Sequence, residues 1–115
     1  MSVPLSSLKI LDFSTLLPGP FASMMLADLG AEILRIESPI RPDLVRMLPP
    51  RVKAGSATHA TLNRSKHSLA LNLKKTEAVK IVQQLVGRYD IVLEQFRPGV
   101  MKRLGLDYEE LRKHN

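Results

Sequence analysis

LKILDFSTLLPGPFASMMLADLGAEILRIES, residues Leu8–Ser38, changes its period twice. Leu8, Ile10, Leu11 and Phe13 form a short apolar, partly β-branched run, too short for a helix and suited to a buried strand. Ser14 to Gly19 breaks the run. Pro20 stands where a first helical residue would, since its missing N–H is an orphan in that turn anyway. Phe21, Met24, Met25 and Leu29 then keep helical spacing, and Gly30 supplies the left-handed position that ends a helix. Ala31 to Ile36 returns as a second apolar strand. Two strands joined through a short helix are expected to be parallel, with their ligands beyond the carboxyl ends of the strands. This directs attention to Ser14–Gly19 and to Glu37–Arg41.

Outward from this unit, Ser38–His67 behaves differently. Pro39, Pro42, Pro49 and Pro50 deny it a long helix, while Arg41, Arg46, Arg51, Lys53, Arg64, Lys66 and His67 make it basic. The expectation is a basic loop over about 38–67, with short helical turns at Asp43–Leu48 and Thr58–Leu62; loops of about 30 residues are uncommon within a domain. Ser68–Leu73 reads as a third strand. Thr76 is placed as the N-cap of a helix carrying Val79, Val82, Leu85 and Val86 on one face. Asp90–Glu94 reads as a fourth strand, followed by QFRPG. Pro98 opens a short helix that Gly105 stops, and Asp107 with Glu110 starts a last helix over Tyr108–Lys113. The expected fold is α/β, a parallel sheet with flanking helices, in one domain spanning residues 1–115.

The 115 residues suffice to bury roughly two-thirds of the unfolded surface. Seventeen Lys and Arg against eleven Asp and Glu leave a net charge of +6, which favours an anionic partner without choosing it. The chain has no cysteine, so disulfides and thiolate metal sites are excluded. Met1–Lys9 has no apolar leader pattern and no run is long enough to span a bilayer, so the expectation is a cytoplasmic chain without a membrane partner.

Nucleotide fingerprints are missing. Gly19 stands alone after the first strand, and neither G-x-G-x-x-G nor G-x-x-x-x-G-K-[ST] occurs. His59, His67 and His114 lack metal-ligand spacing and read as free surface histidines, with no metal expected. No nucleophile elbow surrounds Ser14 or Ser23. Asp12, Glu37 and Glu94 fall at strand carboxyl ends, where carboxylates either take part in catalysis or pair with nearby arginines. Asn63, Arg64, Lys66, Lys74, Arg97 and Arg103 cluster near strand ends and helix starts, a pattern suited to a phosphorylated ligand. Aromatic content of 4% without Trp, and no helix with a concentrated basic face, argue against nucleic acid as the partner.

Three blocks, PLSSLKILDFSTLLPGPFASMMLADLGAEILRIE, LNRSKHSLALNLK and DIVLEQFRPGVMKRLGLDYEELRKHN, resemble in their order the N-terminal segment of the family III CoA transferases, which include formyl-CoA transferase, carnitine CoA transferase and α-methylacyl-CoA racemase. Only about Arg41–Ala60 is uninformative. The resemblance implies a Rossmann-like large domain, incomplete here, and an interlocked homodimer in the full-length form. It implies that Leu16, Leu17 and Pro18 lie against coenzyme A. Leu71, Asn72, Leu73 and Lys74 would border its nucleotide part, and Gln95, Phe96 and Arg97 would flank pantetheine and nucleotide, with Arg103 also facing the ligand.

Glu37-Ser38-Pro39 departs from the Glu-Arg-Pro common in relatives, which removes one expected contact unless Arg41 replaces it. The family's catalytic aspartate corresponds to a position beyond Asn115, so the resemblance implies a coenzyme-binding portion with no catalytic residue among these 115. The implied reaction moves CoA between carboxylic acids, with acyl-CoA and a free acid as partners, through an aspartyl intermediate. The runner-up is a racemase-like portion that serves proton abstraction beside the thioester. A non-catalytic CoA-binding module is the third reading. A four-stranded sheet with both edges open is expected to associate when isolated.

Overall fold

A computed structural model of the chain describes residues 3–53 and 55–115. The expected absence of a leader over Met1–Lys9 rests partly on Met1 and Ser2, and the basic segment includes Ala54; these three residues lie outside the described ones. β1 (Lys9–Asp12), β2 (Glu32–Glu37), β5 (His67–Ala70) and β6 (Ile91–Leu93) form one parallel sheet in the order β5-β2-β1-β6. Side chains alternate between its faces. Leu11 and Phe13 pack with Ile36 against Val82, Val86, Met101, Leu106 and Leu111 on one side. Ile10 and Ile33 pack with Ala27 and Ala31 on the other.

α1 (Pro18–Asp28) covers the second face through Pro20, Ser23, Met24 and Ala27. Gly30, at φ +106°, supplies the expected left-handed exit. α1 begins at Pro18, two residues before the expected start, because either proline suits the first turn and Gly19 continues the helix. Leu17, Phe21, Met25 and Leu29, four residues apart, remain 47–52% exposed as an apolar stripe. α3 (Thr76–Val86) lies on the first face and buries Ala78, Val82 and Val86. Its N-cap is Lys75, not Thr76, and no side chain caps it. α4 (Val100–Arg103) follows Gly99, and α5 (Tyr108–Leu111) is capped by the Asp107 carboxylate, which accepts from the Glu110 N–H.

The segment expected as a basic loop is instead organised. Asp43 caps a 3₁₀ turn (Leu44–Met47), β3 (Arg51–Val52) and β4 (Gly55–Ser56) pair antiparallel, and Ser56 caps α2 (Ala57–Leu62). Met24, Val45 and Leu62 give the excursion a small core of its own. The two helical turns expected there are thus present, and the hairpin between them is the correction. Its strands of two residues are too short to leave a periodic signal. β5 ends three residues before the expected Leu73 because its ladder partner β2 stops at Glu37.

Candidate functional site

The parallel order brings the loops after β1, β5 and β6 to one end of the sheet. The first is fixed from below by Asp12, whose carboxylate is fully buried and accepts from the Ser14 N–H (2.8 Å), the Ser14 hydroxyl (2.5 Å) and the Ser23 hydroxyl (2.5 Å). Lys66 Nζ lies 3.8 Å from it and donates to the Pro20 carbonyl (3.0 Å) and to Asn63 Oδ1 (3.3 Å). Gly19 is required at this corner. A Cβ there would collide with the Ser14 side chain and approach Gln95 Oε1 to 2.8 Å. The chain between Ser14 and Gly19 is therefore thrust outward, leaving Leu16 and Leu17 42% and 50% exposed. Leu16 adopts φ +64°, a strained conformation for a residue with a Cβ, and its N–H donates to Asp43 Oδ1 (3.1 Å).

Asp43 in turn belongs to a buried ionic network. Its other carboxylate oxygen pairs with Arg35, whose side chain is 2% exposed, and Arg35 Nη1 donates to Glu37 (2.5 Å). Arg46 and the Ser68 hydroxyl also donate to Glu37. Burial works to raise the Glu37 carboxyl, but the hydrogen bonds from Ser68 and Arg46 and the charges of Arg35 and Arg46 prevail and hold it below the usual range. His59 is not a free surface histidine. Its Nε2 lies 3.3 Å from Arg35 Nη1, and burial together with the charges of Arg46 and Arg35 lowers the imidazole below its ordinary value. For Lys66, burial outweighs the pull of Asp12 and lowers the ammonium to about 8. Asp12 and Glu37 thus serve the framework, and the Glu94 carboxylate accepts from the Phe96 N–H.

The residues expected to face coenzyme fall into two groups. Gln95 Nε2 donates to the Thr15 carbonyl (2.5 Å), joining the loop after β6 to the one carrying Leu16, Leu17 and Pro18. Leu73, Lys74 and Arg103 line one open cleft of about 440 Å³ with Thr76, Val79 and Leu104. Phe96 and Arg97, both exposed, lie on the strand-to-helix segment that connects the groups. Asn72 shapes the turn after β5, its Oδ1 accepting from the Lys74 N–H (3.2 Å) and its carbonyl from the Lys75 N–H (3.0 Å). Leu71 and Leu73 are half-buried and pack on the main core. Among the described residues Lys74, Arg97 and Arg103 are in no ion pair.

Three residues of the expected phosphate cluster lie elsewhere. Lys66 is buried under α1, Arg64 is paired with Asp28 at the far end of α1 (2.6 Å), and Asn63 donates to the His59 carbonyl (3.0 Å). Ser38 accepts from the Ile40 and Arg41 N–H groups, and Arg41 stays exposed. The Arg35–Asp43 pair has one sequence signal. A lone arginine inside a strand otherwise apolar enough to be buried needs a partner. A larger groove of about 580 Å³, along the free edge of β6 and lined by Tyr89, Ile91, Tyr108 and Asn115 among others, includes none of the expected coenzyme residues. Among the described residues no helix is long and apolar enough to cross a membrane.

Residues 5–115 match the profile of CoA-transferase family III. Human succinyl-CoA:glutarate CoA-transferase is 41% identical over 109 residues, covering 94% of this chain and 25% of the relative. Acetyl-CoA:oxalate CoA-transferase of Acetobacter aceti is 42% identical over 112 residues, covering 97% of this chain and 29% of the relative. Among solved structures, a CAIB/BAIF family protein from Brucella suis superposes with a TM-score of 0.90 at 33% identity, covering all of this chain and 32% of that one. A protein from Mycobacterium tuberculosis superposes with a TM-score of 0.88 at 36% identity, covering 98% and 31%. The chain thus spans 25–29% of these two curated relatives' length and about a third of the solved ones. With the match running almost from end to end, the chain belongs to CoA-transferase family III.

Proposed function

We propose that this chain forms the coenzyme-holding edge of an enzyme that moves CoA between an acyl-CoA and a free carboxylic acid. The observation that carries the reading is that one end of the sheet presents both an exposed apolar rim and a cleft holding two cations that are in no ion pair among the described residues. Leu16, Leu17 and Pro18 form the rim, which Gln95 ties to the loop of Phe96 and Arg97. Lys74 and Arg103 face the same cleft at the start of α3, where helix amides add positive potential. Apolar contact suits the pantetheine arm, and the cations suit the phosphates of the nucleotide.

The strand order β5-β2-β1-β6, third-second-first-fourth within the parallel sheet, is that of half a doubly wound sheet and supports a Rossmann-like large domain. The exposed stripe Leu17, Phe21, Met25 and Leu29 supports further packing against this face, as in a homodimer of the full-length form. Acyl transfer through a carboxylate nucleophile is assigned to the part of the relatives' length that this chain does not span. A cytoplasmic setting belongs to the same reading, which needs neither metal nor nucleic acid.

Calorimetric titration with CoA and with a nonspecific oligonucleotide tests the binding claim. Saturable CoA binding and no oligonucleotide response is the expected result; the reverse overturns it. An assay of the purified 115-residue chain for transfer between acyl-CoA and free acid should show no turnover.

A further inference from the structure

We propose that Asp43 is a positioning residue for the coenzyme, acting through the backbone of Leu16. The inference rests on the coenzyme reading of the Leu16–Pro18 rim. Leu16 holds a left-handed φ of +64° without being glycine, so its conformation needs an external restraint. The contact available is the Asp43 carboxylate. Its Oδ1 accepts from the Leu16 N–H (3.1 Å) and from the Val45 N–H (3.1 Å). Its Oδ2 is held by Arg35, and the Asp43 side chain is 1% exposed.

The restraint is itself anchored in the sheet. Arg35 belongs to β2, next to β1, and is held on its other side by Glu37, which Arg46 and Ser68 hold in turn. A buried carboxylate with both oxygens engaged cannot follow a moving loop without breaking a buried ion pair, which is strongly unfavourable. Asp43 therefore pins the rim to the sheet from the excursion side, while Gln95 pins the neighbouring Thr15 carbonyl from the β6 side. Released from Asp43, Leu16 is free to relax to negative φ. That would turn the peptide leading into Leu17 and Pro18, which present the rim.

The test compares five variants of the chain by calorimetric titration with CoA and by hydrogen exchange at the Leu16 amide. Asp43→Ala should lower CoA affinity about tenfold, the usual effect of removing a charged hydrogen-bond acceptor, and should expose the amide to exchange. Asp43→Asn keeps one acceptor oxygen but sets its NH2 donors against either Arg35 or the Leu16 N–H, so both readouts should move together, to values between the unsubstituted chain and Asp43→Ala. Val82→Ala, in the core on the opposite face, loosens the fold and should change neither readout. In a Leu16→Gly background, where the left-handed conformation carries no strain, Asp43→Ala should cost less than about threefold.

An unchanged Leu16 amide in Asp43→Ala, or an equal loss of affinity in Val82→Ala, overturns the proposal. Should Asp43→Ala fail to fold, the Asn variant decides: loss of CoA affinity with the Leu16 amide still fully protected overturns it. If the unsubstituted chain takes no CoA while Asp43→Ala still unprotects Leu16, the restraint stands and only the coenzyme reading falls.

Discussion

Raising the pH from 7 to 10 should make this protein more stable, and Lys66 is the reason. Its side chain is 1% exposed, and burial brings the ammonium from 10.5 down to about 8. A native pKa below the unfolded value means that, between pH 8 and 10.5, the unfolded chain binds more protons than the native one. Stability therefore rises with pH across that window. With each pKa unit worth 1.36 kcal/mol, the full shift amounts to roughly 3 kcal/mol, the penalty of keeping Lys66 charged at neutral pH. Asp12 does not lose its support when Lys66 is neutral, because three donors from Ser14 and Ser23 remain. Tyr89 acts in the opposite sense above pH 10. Burial and its hydrogen bond to Glu32 push the phenol up to about 12, so its contribution fades as pH rises beyond 10. The window to measure is thus pH 8 to 10. Urea unfolding followed by circular dichroism at half-unit steps should show the midpoint climbing across it, and Lys66→Met should flatten the climb. A wild-type midpoint that stays level or falls between pH 8 and 10, or a climb that persists in Lys66→Met, would refute the reasoning.

Gly19→Ala should destabilise the fold by about 1–3 kcal/mol despite the higher helix propensity of alanine, because the new methyl meets Ser14 and Gln95; a urea series that finds it neutral would show that this corner is looser than described. Lys74→Ala and Arg103→Ala should each weaken CoA binding about tenfold and reduce its salt dependence, as measured by titration at several ionic strengths. Equal losses with pantetheine, which carries no nucleotide phosphates, would deny these residues that role.

The apolar run of Ile10, Leu11 and Phe13 and the helical spacing of Val79, Val82 and Val86 made the sheet and its covering helix legible, because both follow directly from burial. Element ends were less so. The length of β5 is set by where β2 stops, and the pairing of β6 with β1 runs from Ile91 and ends at Leu93, so neither end is encoded locally. In the basic segment, charge concealed order. Lys66 read as part of a phosphate-binding cluster and His59 as a free surface histidine, yet each has a partner far away in sequence: Asp12 and Arg35. Local pattern cannot tell a cation that faces solvent from one that closes a buried network. Lys74, Arg97 and Arg103 did remain without ion pairs among the described residues, which is why the phosphate expectation survives in a narrower form.

In the proposed function, the loops at the carboxyl end of this sheet hold coenzyme A. Amide chemical-shift mapping of the isotope-labelled chain during CoA titration tests it most directly. Saturable shifts are expected at Thr15–Leu17, Leu73–Lys74, Gln95–Arg97 and Arg103. Shifts confined to the groove beside β6, around Tyr89 and Tyr108, or no shifts at millimolar CoA, would contradict it.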